Sequence, residues 1–393
     1  EGEQSGGEIS TLAQVEVSHD GTADDEKGKL VISTNDGSDG ASPTAALTIS
    51  SDQTVAIADN LTVNGNQYPT AGALSHRNLV INGAANVAQR ATSTTGLTAG
   101  SYPTVDRFAW TVSNCGTWTS TQESDGPVGF SNSFKVLCTT ADASPAALDF
   151  AVLQYILEAQ DLQHLNYGTS DAVPITVSFW VKSNKTGNAS FAALQFDASN
   201  RTFSKAYTIN SANTWEYKTI TIPADASGQI DDNNDKGLVI EWWSNSGTDF
   251  SSGSHPTTWT ANDDSDRNAS NIGIGQAVND YFQITGIQLE VGSKATPFEH
   301  RSYGDELARC QRYYQESDIN EYYQLPTASG AQVQRQKVTF PVTMRANANV
   351  TRTKVDGNAT ISSDGSTTQG FRSGFGGSAG DIINYSWTAV AEL

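Results

Sequence analysis

Residues Phe282 to Tyr314 read FQITGIQLEVGSKATPFEHRSYGDELARCQRYY, and this stretch divides the chain. It joins a strand over Tyr281 to Val291, an exit marked by Pro297, and an aromatic run ending in Tyr313 and Tyr314. Leu307, Cys310 and Tyr313 or Tyr314 recur at three-to-four spacing, which predicts a short connector helix within Asp305 to Gln315. One folded part therefore closes near residue 304 and another follows it.

The composition favours strands over helices. The chain has 393 residues, which suggests two or three domains. Only 17% of residues are charged and there is a single Met, with abundant Thr, Ser, Asn, Asp and Gly, as expected of short strands joined by polar turns. A formal charge of −20 excludes a phosphate-binding groove, since the Lys and Arg residues are sparse and scattered. Cys115, Cys138 and Cys310 lie far apart and form neither a zinc pattern nor a paired framework, so free buried thiols are expected. No run of about eighteen apolar residues is present, so no membrane insertion is expected.

Three parts follow from the pattern. Residues 1–73 hold brief strand-like runs, Thr11 to Val17, Lys29 to Ser33, Ala46 to Ser50 and Leu61 to Val63, between Gly, Asp, Asn and Ser clusters. Strands this short bury too little to offset their ordering entropy alone, which predicts an intertwined shaft made with identical copies. Residues 74–304 read as a β-sandwich, with strands over Phe134 to Cys138, Leu148 to Glu158, Ile175 to Ser183, Ala189 to Phe196, Trp215 to Ile222, Gly237 to Trp243 and Tyr281 to Val291. A short helical turn is expected over Gln160 to Leu165. Residues 305–393 read as the connector helix and a small β tip, with strand patterns in Val338 to Thr351 and Asn384 to Leu393.

Several motifs occur in one order: NLVINGAANVAQR (Asn78 to Arg90), VDRFAW (Val105 to Trp110), LQYILE (Leu153 to Glu158), ITVSFWVKS (Ile175 to Ser183), TWEYKTITIP (Thr214 to Pro223) and ITGIQLEVG (Ile284 to Gly292). With the shaft-like words GKLVISTNDGSDGASPTAALTISSDQTVAI, this order resembles phage tail-fibre and receptor-binding proteins that carry a jelly-roll domain similar to carbohydrate-binding modules. The resemblance implies an all-β chain with a trimeric shaft, a jelly-roll sandwich and a C-terminal β domain. It implies a homotrimer in the virion tail fibre, joined on its N-terminal side to other tail or fibre proteins and attaching the phage to a host-surface glycan. The opening EGEQSGGE reads as an interior fragment, so a longer fibre is expected. A tailspike depolymerase and a purely structural virion fibre or capsid-decorating protein are the alternatives.

Sugar recognition needs an aromatic face against the C–H face of a pyranose and planar amides or carboxylates for its hydroxyls. Alternation along Thr176 to Lys182 puts Trp180 on the wetter face, opposite Val177, Phe179 and Val181. The same rule separates Trp243 and Glu241 from Leu238, Ile240 and Trp242, so Trp243 beside Glu241 is a candidate platform, or else core packing. Gln154 and Glu158 share one face of their strand and are candidate polar partners. The long segment Ser244 to Asn271, carrying Phe250, His255 and Trp259, is a candidate recognition loop or subunit contact.

Chemistry is sparse. Asp231, Asn233 and Asp235 have calcium-loop spacing, but Lys236 stands where Gly is required and Trp242 where a bidentate Glu is required, which excludes an EF-hand. Asp263, Asp264 and Asp266 read as a solvated turn; the resemblance allows a structural calcium and implies no other cofactor. The five histidines are dispersed, and no HExxH, GxSxG or Cys–His signature is present, so no enzyme is expected.

Overall fold

The computed structural model describes residues 2–3, 9–10, 13–20, 28–35, 42–52, 55–57, 61–63, 66–68, 76–325 and 332–393. The chain forms two compact units, 1–72 and 73–393.

In the first unit, strands β1 (Ala13–His19), β2 (Gly28–Thr34), β3 (Thr44–Ile49) and β4 (Val55–Ile57) form one antiparallel sheet in sequence order. The expected runs are strands wherever described, except at Ser50, which follows the end of its strand; Thr11, Leu12 and the Asp-Gly turns at 36–40 lie outside the described residues. Val15, Val17 and Val55 are exposed by 68%, 77% and 57%, so among the described residues these apolar side chains are left uncovered.

The second unit opens with a sandwich of two six-stranded antiparallel sheets. The front sheet runs β13 (Glu216–Ile222), β10 (Ile175–Ser183), β16 (Tyr281–Val291), β8 (Ser133–Thr140), β7 (Thr117–Glu123) and β5 (Ser93–Leu97). The back sheet runs β6 (Phe108–Ser113), β9 (Phe150–Glu158), β14 (Lys236–Ser246), β11 (Gly187–Gln195), β12 (Arg201–Ile209) and β15 (Thr260–Ala261). The chain crosses between sheets repeatedly, as in a jelly roll. Inward side chains interdigitate: Trp110 meets Trp118 edge-on at 4.9 Å, and Trp242 sits 5.6 Å from both Phe179 and Phe191. Each such side chain removed from water contributes about 2–3 kcal/mol. All three cysteines are free and buried. The Gln160 to Leu165 turn is a 3-10 segment over Ala159–Leu165. Among the described residues no helix is long and apolar enough to cross a membrane.

Helix α1 (Thr248–Ser251) lies within the long segment after β14. Helix α2 (Tyr303–Gln311), capped by the Ser302 hydroxyl accepting from the Asp305 amide at 3.2 Å, leads out of the sandwich. It ends before Tyr313, because Tyr313 turns inward and Tyr314 begins β17 (Tyr314–Glu316). The tip then holds β18 (Glu321–Gln324), β19 (Gln332–Thr339), β20 (Asn349–Gly357), β21 (Thr360–Thr367), β22 (Gly370–Gly377) and β23 (Ile382–Val390). Strands β17, β18 and β20 all pair with β23, while β22 lies between β19 and β21. The run Val338 to Thr351 is thus the ends of two strands with an irregular link. Phe340, Phe371 and Trp387 pack at 5.2–5.9 Å in a separate core.

Charged groups tie tip to sandwich. Glu158, at the end of β9, is buried and accepts from Arg312 at 2.8 and 3.0 Å, from the Tyr313 hydroxyl and from Gln160 at 2.7 Å. Burial alone raises its carboxyl, but the Arg312 and Tyr313 hydrogen bonds outweigh it and hold the group below the ordinary glutamate value. A depressed carboxyl stabilises the fold above its unfolded value near 4.3, and this contribution is lost as pH falls through the folded value. Acid titration followed by tip tyrosine fluorescence should therefore show a loss of order below about pH 4 that Glu158→Gln removes; an unchanged profile in the variant would refute the assignment.

Candidate functional site

The outer face of the front sheet carries an open aromatic strip. On β10, Ile175, Val177, Phe179 and Val181 point into the core, which turns Ser178, Trp180 and Lys182 outward. Trp180 is half-buried and pairs across the ladder with Tyr217, which is 44% exposed; their ring centroids are 5.3 Å apart. On the other side of Trp180 the loop after β7 brings Phe130, and the segment after β16 brings Phe298 and His300. Phe130 lies 5.0 Å from Phe298 and 5.3 Å from His300, with Phe298 and His300 4.8 Å apart.

Gly286 allows the two halves to meet. The β10–β16 register slips between Ser178 and Trp180, opposite Gly286, whose φ of 62° is left-handed. A Cβ there would stand 2.8 Å from Phe130 Cζ and 3.0 Å from Trp180 Cδ1, so both rings lean over bare backbone. Gly286→Ala should cost about 1–3 kcal/mol in stability and push the rings apart; a melting temperature equal to the parent's would contradict this.

Polar groups border the strip at the Trp180 end. Asp125 accepts from Lys182 Nζ at 2.8 Å, Gln283 Nε2 at 3.1 Å and Trp215 Nε1 at 3.4 Å. The Lys182 hydrogen bond is the main cause holding its carboxyl below the usual range, with Trp215 and Gln283 acting the same way. Gln283 also donates to Ser133 Oγ at 2.8 Å, and Thr285 donates to the Asn132 carbonyl at 2.7 Å, which fixes the loop carrying Phe130. Half-open rings beside the partly exposed Asp125 carboxylate, which the buried Gln283 orients, form a surface suited to a flat, hydroxylated ligand.

Of the sequence candidates, only Trp180 lies in this face. The platform expected at Trp243 and Glu241 is corrected: both are fully buried. The segment after β14 folds back over the outer face of the back sheet, where Phe250 packs on Trp243 at 5.3 Å and Arg267 grips Glu241 at 2.6 and 3.1 Å. Glu241 also accepts from Gln154 at 2.7 Å and Trp243 Nε1 at 3.0 Å, so its acceptor positions are occupied. Gln154 is thereby a partner of Glu241, and Glu158 is a partner of the tip. Trp259 is also buried, donating to the Pro223 carbonyl at 2.8 Å and packing on Phe203 and Tyr167. Ser244 to Asn271 is a packed cover, further pinned by His255 between Ser204 at 2.8 Å and Ser270 at 3.0 Å.

The acidic turn is used internally. Asp263 accepts from Ser265, Asp264 pairs with Arg267 and Asp266 accepts from the Ser254 amide. Among the described residues no group of three or more His, Cys, Asp or Glu side chains is placed to hold a metal ion.

Phe130, Tyr217, Phe298, His300 and Asp125 were not singled out from sequence. One signal was present. The apolar alternation of Phe282 and Ile284 resumes out of phase at Ile287 and Leu289, which marks a bulge at Gly286.

No family model and no curated protein matches the chain. Among solved structures it is similar to the enzymatically active domain of tailspike protein 4 of bacteriophage CBA120, with 11% identity, 55% of this chain and 21% of that chain covered, and a TM-score of 0.29. The match thus spans about a fifth of the tailspike chain. It is also similar to the family 11 carbohydrate-binding module of Clostridium thermocellum in complex with a β-1,3-1,4-mixed-linked tetrasaccharide (12% identity, 53% and 99% covered, TM-score 0.27). A third is the module TmCBM61 in complex with β-1,4-galactotriose (9% identity, 55% and 99% covered, TM-score 0.26). Likeness at this level carries no function, which is argued from the face itself.

Proposed function

We propose that this protein is a receptor-binding component of a phage tail fibre that holds a host-surface glycan on the strip running from Tyr217 through Trp180 and Phe130 to Phe298 and His300. The observation that carries the reading is this strip, left partly open to solvent beside the Asp125 carboxylate that buried Gln283 orients, while the outer face of the opposite sheet is covered. Large aromatics left partly in water are costly, and a pyranose supplies the apolar face that covers them. The order of motifs, which resembles that of tail fibres, supports a ligand on a host cell and a protein in the virion.

The exposed valines of β1 and β4 support assembly of the N-terminal unit with identical copies, taken here as a homotrimer, with other fibre proteins on that side. Three shallow sites on one stalk bind a surface by avidity, since the first contact raises the effective concentration for the others. The protein acts as a binder and needs no cofactor for this role. Incubating the intact oligomer with a glycan array and host cells tests the reading. Binding supports it; no binding to any surface favours a structural fibre, and release of oligosaccharide favours a depolymerase.

A further inference from the structure

Among the described residues, four cations around the strip, Lys182, Lys135, Arg77 and Arg301, each face a carboxylate. Lys182 is held by Asp125 at 2.8 Å, directly beside Trp180 on β10. Lys135, which pairs with Gln283 across the ladder, is held by Glu123 at 3.4 Å. At the other end Arg77 faces Glu290 at 3.7 Å, and Arg301 is shared by Glu299 and Glu306 at 3.2 Å each. A carboxylate or sulfate on a ligand gains most from an unpaired cation, and each of these four already faces a carboxylate. The chain's charge of −20 adds long-range repulsion against any polyanion. Asp125 stands out among these carboxylates. It alone carries Lys182, Trp215 and Gln283 together, it remains 41% exposed, and Lys182 sits 5.8 Å from the Trp215 ring.

Resting on the glycan reading above, we infer that the ligand is an uncharged polysaccharide and that Asp125 sets this specificity by keeping Lys182 paired beside Trp180. Neutral hydroxyls can still meet the outer lone pairs of Asp125, whereas an acidic sugar meets that carboxylate and a cation whose charge it already pairs. Ablating the Asp125 charge should free the Lys182 ammonium at the edge of the ring platform and open the face to anions.

The experiment uses the full chain, titrated above the histidine range with neutral polysaccharides (mannan, galactan, dextran) and with uronate polymers (alginate, hyaluronan), at low and high salt. The parent should bind at least one neutral polymer with little salt dependence and should bind neither uronate polymer measurably. Asp125→Asn, which keeps the shape and the Gln283 contact, should gain uronate binding by about 10-fold or more and lose that gain at high salt. Trp180→Ala should abolish binding in both backgrounds. If the parent binds a uronate polymer more tightly than any neutral one, and Trp180→Ala removes that binding, the specificity inference is overturned while the glycan face stands. If the parent prefers neutral polymers but Asp125→Asn gains nothing, the role of Asp125 is overturned. If no polymer in the panel binds, or Trp180→Ala changes nothing, the glycan face and the inference resting on it both fail.

Discussion

Glu392→Ala is expected to lower the stability of the second unit by about 3–5 kcal/mol, a fall in melting temperature of roughly 5–10 °C. Arg107 is 1% exposed and lies between the Tyr155 and Tyr313 rings, with its charge 3.4 Å above the Tyr313 centroid. One nitrogen donates to the Ile156 carbonyl at 2.7 Å and another pairs with Glu392, which also takes Arg90 at 3.0 Å. Burial works against the charged guanidinium, and Glu392 more than offsets it, so the Arg107 pKa is raised. Without Glu392 the cation stays buried with no counter-charge, which is why cutting one partner costs far more than a surface pair would. Replacing both Arg107 and Glu392 by Leu should cost clearly less than the sum of the single losses. A Glu392→Ala protein that melts within a degree of the parent, or strictly additive losses, would show that this pair does not hold tip and sandwich together.

Trp180→Ala should weaken glycan binding by about 30-fold or more, as truncating a central aromatic anchor does. Its effect on melting should be small, because the ring is only half-buried and its strand is held from the other face by Val177, Phe179 and Val181. Trp180→Phe should recover part of the affinity, since the ring face is kept while the area shrinks. Trp243→Ala is the contrasting control. It should destabilise by about 3–5 kcal/mol, because it empties the site between Phe250 and Phe150. Binding that survives Trp180→Ala, measured on protein whose melting is intact, would remove this face from consideration.

Strands with one covered face were plain in the sequence. Ile175 to Ser183 alternates cleanly between apolar inward and mostly polar outward residues, and that alternation alone placed Trp180 outward. The same rule misled at Trp243 and Glu241, whose strand is covered on both sides: by Trp242's neighbours within, and by Phe250 and Arg267 without. β12 was missed for a related reason, since Thr202 and Ser204 are fully buried small polar residues that blur its pattern. A periodicity of two records which face a side chain takes, and nothing in it states what will later fold over that face.

The sequence by itself determined an all-β chain of short strands, a last sandwich strand ending at Val291, a short helix within Asp305 to Gln315, free buried thiols and one outward tryptophan. These depend on local alternation, helical spacing and composition, which neighbouring residues carry. Only the tertiary structure decided that Ser244 to Asn271 is a cover, that Glu158 serves the tip, and that Tyr217 joins Trp180 on one side of Gly286 while Phe298 and His300 pack on Phe130 on the other. Those contacts join residues tens to more than a hundred positions apart. They exist because a bulge at Gly286 and two loop crossings bring distant backbone over the same few ångströms of sheet.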